Sequence, residues 1–171
     1  MESLELIRDF VNTADLEDGK ERLADLGALQ YWLVFNGLAE LRDRATAADL
    51  DEALALREAL RELLRGHTGV TADIDGASAV LDDIAAEHGL RIRFAAGSVV
   101  FEPARGGLGA VLTAVASAMA DGSWERLKAC RSDTCRWAFI DNARNHSRQW
   151  CDMKVCGNRA KARAFRERHG D

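Results

Sequence analysis

The sequence predicts a mainly α (α+β) protein: an N-terminal helical domain with one β-hairpin, followed by a small C-terminal module that contains the cysteines and ends in a basic helix. Three observations support this fold class. Apolar residues recur at helical spacing through most of residues 1–122, and one short segment of that part alternates between apolar and polar residues. All four cysteines lie in residues 123–171, together with a run of arginines and lysines.

Helical periodicity and capping residues define the helices of the N-terminal part. Thr46 is a suitable N-cap because Asp49 follows three residues later and a run of helix formers extends to Gly66. Gly89 is a suitable C-terminal stop for the fourth helix. The predicted helices cover residues 4–11, about 23–38, 46–66 with Thr46 as the cap, 77–88 and 108–120.

The alternating segment predicts a β-hairpin. Residues 90–94 alternate, residues 99–101 are apolar and rich in β-branched and aromatic side chains, and residues 95–98 between them have the composition of a short turn. The sequence Asp-Gly-Ser at residues 121–123 then favours a boundary. We therefore predict two domains, residues 1–122 and residues 123–171.

Composition and charge limit the possible classes of protein. The chain has 171 residues, of which 47% are hydrophobic, so it can bury a core and is not of the disordered class. Residues 1–122 carry 11 basic and 22 acidic residues, a net charge of −11, whereas residues 123–171 carry 12 and 6, a net charge of +6. An acidic body with a basic arm favours a polyanionic partner for the arm.

The expected location is the cytoplasm. The first eight residues carry acidic side chains where a secretory signal is basic, and they lack an apolar core segment. The longest apolar stretch, residues 108–120, is about 13 residues long, against roughly 20 for a helix that spans a bilayer. We therefore expect no membrane segment, and cysteines that bind a metal rather than form disulfides.

The cysteine spacing predicts a zinc site. The cysteines form a C-x4-C pair, fifteen intervening residues and a second C-x4-C pair, at Cys130, Cys135, Cys151 and Cys156. Each short pair can fold into a turn that directs two thiolates at one point, as a tetrahedral zinc ion requires. Four thiolates leave no open coordination position, so such a site is structural and the module is a zinc-binding module.

Two alternatives to this ligand set are open. The cysteines could be buried and free or form redox pairs, although a segment of 27 residues with few apolar side chains is a poor place to bury four thiols. His146 lies between the two pairs and could replace one cysteine, although it has no partner at ligand spacing.

The segment between the pairs has the composition of a strand and a turn. Residues 136–141 favour a strand, and residues 141–145 favour the turn that follows it. We expect Trp137, Phe139 and Trp150 to form a small core beside the metal, the alternative being a stacking platform for bases. Zinc contributes on the order of 10–16 kcal/mol in small zinc modules, which would supply the stability that a short segment lacks.

A basic helix is predicted directly after the last cysteine. Gly157 is expected to adopt a positive φ in a tight turn over the metal, and Asn158 is expected to be the N-cap. At roughly 100° per residue the basic side chains form two stripes on the helix. One stripe contains Arg159, Arg163 and Arg166, and the other contains Lys161 and Arg168. Phe165 is expected to anchor the helix.

These stripes suit a nucleic acid groove, because arginines neutralise phosphates and bind the edges of guanine. Zinc with four thiolates adds a charge of −2, which lowers the +6 of residues 123–171 to about +4. The alternative is a solvated helix whose arginines offset the zinc-thiolate charge or dock against the acidic body.

The cysteine module resembles the CGNR zinc finger family, which is named for the order Cys-Gly-Asn-Arg found here at residues 156–159. The resemblance extends over residues 130–141, 148–151 and 156–163. Such fingers follow an N-terminal domain called ABATE, described as a putative stress-induced transcription regulator domain. Residues 9–13 and the region of residues 32–33 resemble the signature of that domain.

The resemblance implies a bacterial protein, one structural zinc ion on the four cysteines, and DNA binding by the finger. The nucleic-acid-binding residues that follow from it and from the helix are Asn158, Arg159, Lys161, Arg163 and Arg166. Asn158 could instead cap the helix, and Arg159 could instead bind an internal acid such as Asp141.

We therefore expect a transcription regulator that binds DNA through the finger, while the N-terminal domain senses a signal, such as an unidentified small-molecule effector, or forms a homodimer. One finger makes few phosphate contacts, which favours a dimer. The alternative is a zinc-stabilised module that binds a protein or a structured RNA without sequence-specific DNA binding.

An enzyme is not expected. His67 and His88 are the histidines of residues 1–122, and neither has a nucleophile or carboxylate partner at readable spacing. Asn12, Thr13 and Trp32 could line a small-ligand pocket beside Tyr31, although helix-end capping and core packing explain these residues equally well.

Overall fold

The computed structural model describes residues 2–170 and confirms the mainly α class, with short hairpins and a C-terminal cysteine cluster. The helices of this range are α1 (Glu2–Val11), α2 (Leu26–Phe35), α3 (Ala47–Gly66), α4 (Ile74–Glu87), α5 (Leu108–Ala120) and α6 (Asn158–His169). The strands form antiparallel pairs: β1 (Ala14–Asp15) with β2 (Lys20–Glu21), β3 (Arg91–Ala95) with β4 (Ser98–Glu102), and β5 (Leu127–Ala129) with β6 (Ala138–Ile140). A 3₁₀ turn at Ser123–Arg126 precedes β5, and a π-helical turn at Met153–Gly157 leads into α6. We call residues 2–122 the helical body and residues 123–170 the cysteine module.

The predicted capping box at the start of α3 is present. The amide of Asp49 donates to Thr46 Oγ1 at 3.3 Å, and the amide of Thr46 donates to the Asp49 carboxylate at 2.7 Å. The hydrogen bonds from Thr46 lower the pKa of Asp49, which therefore stays ionised in the first turn of the helix. Sequence and structure agree here because a capping box is a contact between near neighbours in the chain.

Two other helices begin at positions that differ from the prediction. α2 begins at Leu26, later than predicted, because Asp25 accepts a hydrogen bond from the amide of Ala28 at 2.8 Å. α4 begins three residues earlier than predicted, because Asp73 accepts a hydrogen bond from the amide of Gly76 at 3.0 Å. In both helices an aspartate cap, rather than the first apolar residue, sets the boundary.

The predicted β-hairpin is formed by β3 and β4, with a shorter turn than expected. Ala95 pairs with Ser98, so the turn consists of Ala96 with φ 40° and Gly97 with φ 88°. Positive φ at both central residues is the geometry whose twist matches that of the flanking strands. The hairpin was predictable because residues 90–94 alternate between apolar and polar side chains and a short apolar segment follows the turn.

A second hairpin, β1 with β2, was not predicted. Each strand has only two residues, which is too short for a visible alternation. Its turn is held by Asp15, whose carboxylate accepts hydrogen bonds from the amides of Glu17 and Asp18, both at 3.1 Å. Gly19, with φ 66°, completes the turn.

The hydrophobic core lies between α1, α3, α4 and α5 and continues into the cysteine module. Trp124, Leu127, Ala129 and Ala138 of the module belong to the same buried cluster as the apolar faces of the body helices. β5 packs on α3 and β6 packs on α1. The division at residue 122 stays a prediction, and the core is shared across it.

α5 covers the predicted residues 108–120. It buries Val111, Leu112 and Val115 in the core. Its first turn passes close to the segment after β4, since a Cβ at Gly109 would lie 2.7 Å from the Cβ of Pro103. Within residues 2–170, no helix combines the length and the apolar character needed to cross a bilayer.

Asn12 joins the end of α1 to β6, because its side chain forms the two backbone hydrogen bonds that a neighbouring strand would form. Its Nδ2 donates to the carbonyl of Ala138 at 2.9 Å, and its Oδ1 accepts from the amide of Ala138 at 2.8 Å. Asn12 is buried, so both hydrogen bonds are shielded from water. This side chain therefore connects the helical body to the cysteine module.

Replacing Asn12→Ala removes both hydrogen bonds and leaves the amide and carbonyl of Ala138 unpaired. We expect a loss of about 2–4 kcal/mol in the free energy of unfolding, since each unsatisfied buried group costs about 1–3 kcal/mol. Urea denaturation followed by circular dichroism measures this loss. Asn36→Ala is the control, because Asn36 donates a single hydrogen bond to Trp32 at the end of α2. Equal losses in the two variants would contradict the role assigned to Asn12.

Candidate metal centre and nucleic-acid interface

The four cysteines converge on one point. Their Sγ atoms all lie within 4.8 Å of one another. The Sγ of Cys151 is 3.6 Å from that of Cys135 and 3.8 Å from that of Cys156. A tetrahedral zinc ion with Zn–S bonds of about 2.3 Å places its sulfurs about 3.8 Å apart. The arrangement therefore has the dimensions of a zinc-thiolate site.

The first pair of cysteines is set by the β5–β6 hairpin. The amide of Cys130 donates to the carbonyl of Trp137 at 2.9 Å, which closes the strands just beyond β5. The amide of Cys135 donates to Ser132 at 3.1 Å within the intervening turn, and Arg136 follows with φ 51°. These hydrogen bonds turn both thiols to the same side.

The second pair is set by the π-helical turn before α6. Asp152 accepts hydrogen bonds from the amides of Lys154 at 2.6 Å and Val155 at 3.1 Å. The predicted positive φ of Gly157 is wrong: its φ is −64°, in the right-handed helical region. A Cβ on residue 157 would lie 3.0 Å from the thioether sulfur of Met153, so a larger residue would have to displace the end of this flexible, exposed side chain.

The four clustered thiols are suited to a divalent cation. Hydrogen bonds from Cys135 and Cys151 lower the pKa of Cys130, while hydrogen bonding to Cys130 raises the pKa of Cys135 and of Cys151. Burial raises the pKa of Cys156. One thiolate thus opposes the ionisation of the others, and a divalent ion removes this opposition by binding all four. The cysteines are not joined as disulfides and fit a single zinc ion.

The four cysteines therefore form one structural zinc site. Cys130, Cys135 and Cys156 are buried and Cys151 is half-buried, so the coordination shell is closed to substrate. His146 is not part of the cluster. Its backbone carbonyl accepts a hydrogen bond from Lys128.

The aromatic residues of the module divide into two groups. Trp137 and Trp150 pack against the cysteines, as predicted. Phe139 was predicted to join them, but it is buried outside this cluster, with the guanidinium of Arg148 over its ring at 4.9 Å.

A buried ion pair fixes the loop between the two cysteine pairs. Lys128 Nζ lies 2.8 Å from Asp141 Oδ2, and both side chains are buried. Asp141 also accepts hydrogen bonds from the amides of Ala143 and Arg148, each at 2.9 Å. Burial raises the pKa of Asp141, but these hydrogen bonds outweigh it and hold the pKa below its usual value.

Three buried arginines of α3 lie beside the cysteine module, and two of them, Arg61 and Arg65, contact it. Arg57, Arg61 and Arg65 are spaced four residues apart, so they lie on one face of the helix, and all three are buried. We call them the arginine row. Arg57 binds the Glu21 carboxylate at 2.7 Å, and Arg65 binds the Asp133 carboxylate at 2.6 Å.

Arg61 is the most buried member of the row, with 2% of its surface exposed. It donates to the carbonyl oxygens of Val11 at 2.7 Å, Ala14 at 3.3 Å and Arg136 at 3.1 Å, and it contacts Glu58 at 3.0 Å. Burial is the larger effect on this guanidinium and lowers the pKa of Arg61. Sequence reasoning missed the row, although three arginines at four-residue spacing in a leucine-rich helix were a visible signal.

α6 extends from the zinc site with its side chains exposed. None of its residues is buried. Asn158 is not the predicted N-cap: it is the first residue of α6, and its Nδ2 donates to the carbonyl of Lys154 at 3.0 Å. Phe165 does not anchor the helix either, since 57% of it is exposed and its ring stacks on His169 at 4.1 Å. The start of the helix is joined to the zinc site through Cys156 and the π-helical turn.

Arg159 binds an internal acid, which was the alternative to a nucleic acid contact, but this acid is not Asp141. It forms an ion pair with Glu17 in the β1–β2 turn of the body, whereas Asp141 is occupied by Lys128. The hydrogen bond that Arg159 donates to Glu17 raises the pKa of Arg159. Within residues 2–170, no ion pair is formed by Lys161, Arg163 or Arg166. The predicted nucleic-acid-binding residues therefore lie on one exposed helix, and the first arginine of that helix, Arg159, is paired with an acid of the same chain.

Comparison with known families supports both parts of the chain. Residues 4–122 match the ABATE family, described as a putative stress-induced transcription regulator. The chain belongs to the ABATE family. Residues 126–169 match the CGNR zinc finger, which contains the four clustered cysteines. A search of curated proteins found no match.

The two histidines of the ABATE domain have internal partners. His67 Nδ1 lies 2.7 Å from the carbonyl of Leu127, and its ring meets the edge of Trp124. His88 Nε2 lies 2.8 Å from the Glu52 carboxylate, a partner that the sequence did not predict. The expectation that the chain is not an enzyme stays a prediction.

The residues considered for a ligand pocket in the ABATE domain are occupied by internal contacts. Asn12 binds Ala138, and Thr13 Oγ1 donates to the carbonyl of Phe10 at 2.7 Å. Trp32 packs against Phe10 with ring centroids 5.1 Å apart. Capping and core packing account for these contacts, and the ligand pocket stays a prediction.

Zinc removal should unfold only part of the CGNR finger. We expect a chelator to abolish the protection of residues 130–135 and 148–169 from hydrogen exchange, while β5 and β6 stay protected because they belong to the core of the ABATE domain. Hydrogen exchange with mass spectrometry measures both segments in one experiment. A variant with Cys151→Ser is the metal-deficient control. Unchanged protection in residues 148–169, or loss of protection throughout the chain, would contradict this expectation.

Proposed function

We propose that this protein is a cytoplasmic transcription regulator that binds DNA through α6 of its zinc finger, while the ABATE domain senses a signal or forms a homodimer. The observation that carries the proposal is the exposure of α6. A twelve-residue helix with no buried side chain starts directly at the zinc site, so the metal fixes a helix that the core does not use.

The charge of α6 favours a polyanion. The helix carries five exposed basic residues, Arg159, Lys161, Arg163, Arg166 and Arg168, and one acidic residue, Glu167. The zinc-thiolate site reduces the charge of residues 123–171 from +6 to about +4, which stays opposite in sign to the −11 of the ABATE domain. A phosphate backbone attracts such a helix through counterion release.

The length of α6 limits the number of contacts. Twelve residues extend about 18 Å, which is enough to enter one major groove and touch a few phosphates. Tight binding therefore favours two copies of the finger on one DNA site.

The signal that the ABATE domain senses in this proposal is an unidentified small-molecule effector.

A protein partner is the second candidate function. Tyr31 and Phe35 of α2 are 70% and 75% exposed and stack on each other with centroids 5.9 Å apart. Exposed aromatic pairs are enriched at protein interfaces. A protein partner that stays bound after nuclease treatment would favour this function. Binding of a structured RNA would instead favour a module that recognises RNA.

DNA binding is tested with the zinc-loaded full chain and genomic DNA fragments at two salt concentrations. We expect Arg163→Ala to lower the affinity severalfold and to reduce the slope of log K against log salt by about 1, because it removes a phosphate contact. Arg42→Ala is the matched control, since it removes one exposed arginine from the ABATE domain. Fluorescence anisotropy provides the affinities.

Two outcomes would contradict the proposal. One is the absence of binding by the zinc-loaded protein at low salt. The other is the same affinity and salt slope for the Arg163→Ala and Arg42→Ala variants, which would show that the general charge of the chain, and not α6, attracts the DNA.

A further inference from the structure

The contact between Arg159 and Glu17 joins the first turn of α6 to the ABATE domain. We propose that Glu17 competes with a polyanion for Arg159, so that the β1–β2 hairpin lowers the affinity of the finger until this contact is broken. The polyanion is DNA if the function proposed above is correct, and the inference rests on that function for its biological meaning. The competition itself is a property of this chain.

Glu17 is held in place by the rest of the hairpin. Asp15 fixes the turn through the amides of Glu17 and Asp18. Glu21 at the far end accepts hydrogen bonds from Arg57 at 2.7 Å and from the amide of Leu23 at 2.8 Å. Both ends of the hairpin are therefore attached to the body, and the carboxylate is a fixed partner rather than a side chain on a loose loop.

Carboxylates line the cleft between the hairpin and the zinc site. They come from Asp15, Glu17, Asp18 and, on the finger side, Asp152. Asp18 is paired with Lys20, whose Nζ lies 2.6 Å from its carboxylate, whereas Glu17 contacts Arg159. The hairpin therefore opposes a polyanion by occupying Arg159 with the carboxylate of Glu17.

Helix geometry extends the effect beyond one residue. Arg163 and Arg166 are four and seven residues after Arg159, so they lie on the same side of α6, with Arg166 about 10 Å further along the axis. Lys161 and Arg168 lie on the opposite side. The first residue of the arginine stripe predicted to contact nucleic acid is thus the one that contacts the ABATE domain. All three arginines can bind a polyanion together only when Arg159 is released from Glu17.

The expected size of the effect is modest. Both partners are partly exposed, with 59% of the Arg159 side chain and 35% of the Glu17 side chain accessible. An exposed ion pair changes an equilibrium by roughly two- to fivefold, and salt screens it. A change of this size is measurable and leaves the fold intact, because neither residue belongs to the core.

The test compares Glu17→Gln with Asp18→Asn in the zinc-loaded full chain. Both variants remove one negative charge from the same turn, but Asp18 pairs with Lys20 and does not contact Arg159. Elution from a heparin column probes the availability of Arg159 without requiring a DNA target. We expect Glu17→Gln to elute at higher salt than Asp18→Asn, and to bind DNA two- to fivefold more tightly than Asp18→Asn at low salt.

The outcomes separate the inference from the proposed function. Equal heparin elution of the two variants overturns the inference, whatever the DNA result. A difference between them that persists in an Arg159→Ala background also overturns it, since the contact would then not be the cause. Later elution of Glu17→Gln that is lost in the Arg159→Ala background supports the inference. If this result is obtained while no variant binds DNA, the competition stands and the proposed function fails.

Discussion

A buried positive charge connects the two parts of this protein. Arg61 lies in the shared core, where a cation without hydrogen-bond partners is strongly destabilising. Its partners are the Glu58 carboxylate of α3, carbonyls at the end of α1 and in the β1–β2 hairpin, and a carbonyl beside the zinc ligand Cys135. The complete set of contacts therefore forms only when the ABATE domain and the first cysteine pair are both in place. Arg65 adds a second contact with the module at Asp133.

This connection changes the meaning of the zinc site. In an independent finger the metal supplies most of the folding energy, whereas here β5 and β6 are already part of a larger core. We therefore expect zinc to order the outer half of the module, which comprises the turn after Cys130, the segment from Arg148, and α6. The metal would then connect the ABATE domain to the basic helix. Glu17 contacts that helix at Arg159, close to the zinc site.

Local patterns in the sequence predicted local structure. The capping box at Thr46, the β3–β4 hairpin, α5 and the four zinc ligands were all readable, because each depends on residues at fixed short spacing. Contacts between distant segments were not readable. Asn12 with Ala138, Arg61 with its carbonyls and Arg159 with Glu17 join residues far apart in the chain, and polar residues at such positions resemble ordinary surface residues. Gly157 shows a further limit, because the glycine that predicted a positive φ adopts a right-handed helical conformation with φ −64°.

Arg61 links the ABATE domain to the zinc site. The most direct test of this link is the rate at which the Arg61→Lys variant loses zinc to a chromogenic chelator, with Arg42→Lys as the control. Lysine keeps the charge but lacks the planar fork that reaches several carbonyls. We predict zinc loss about 10- to 100-fold faster in Arg61→Lys, as for other residues that support metal ligands, and no change in the control. Equal rates in both variants, with the helical content retained, would contradict the account.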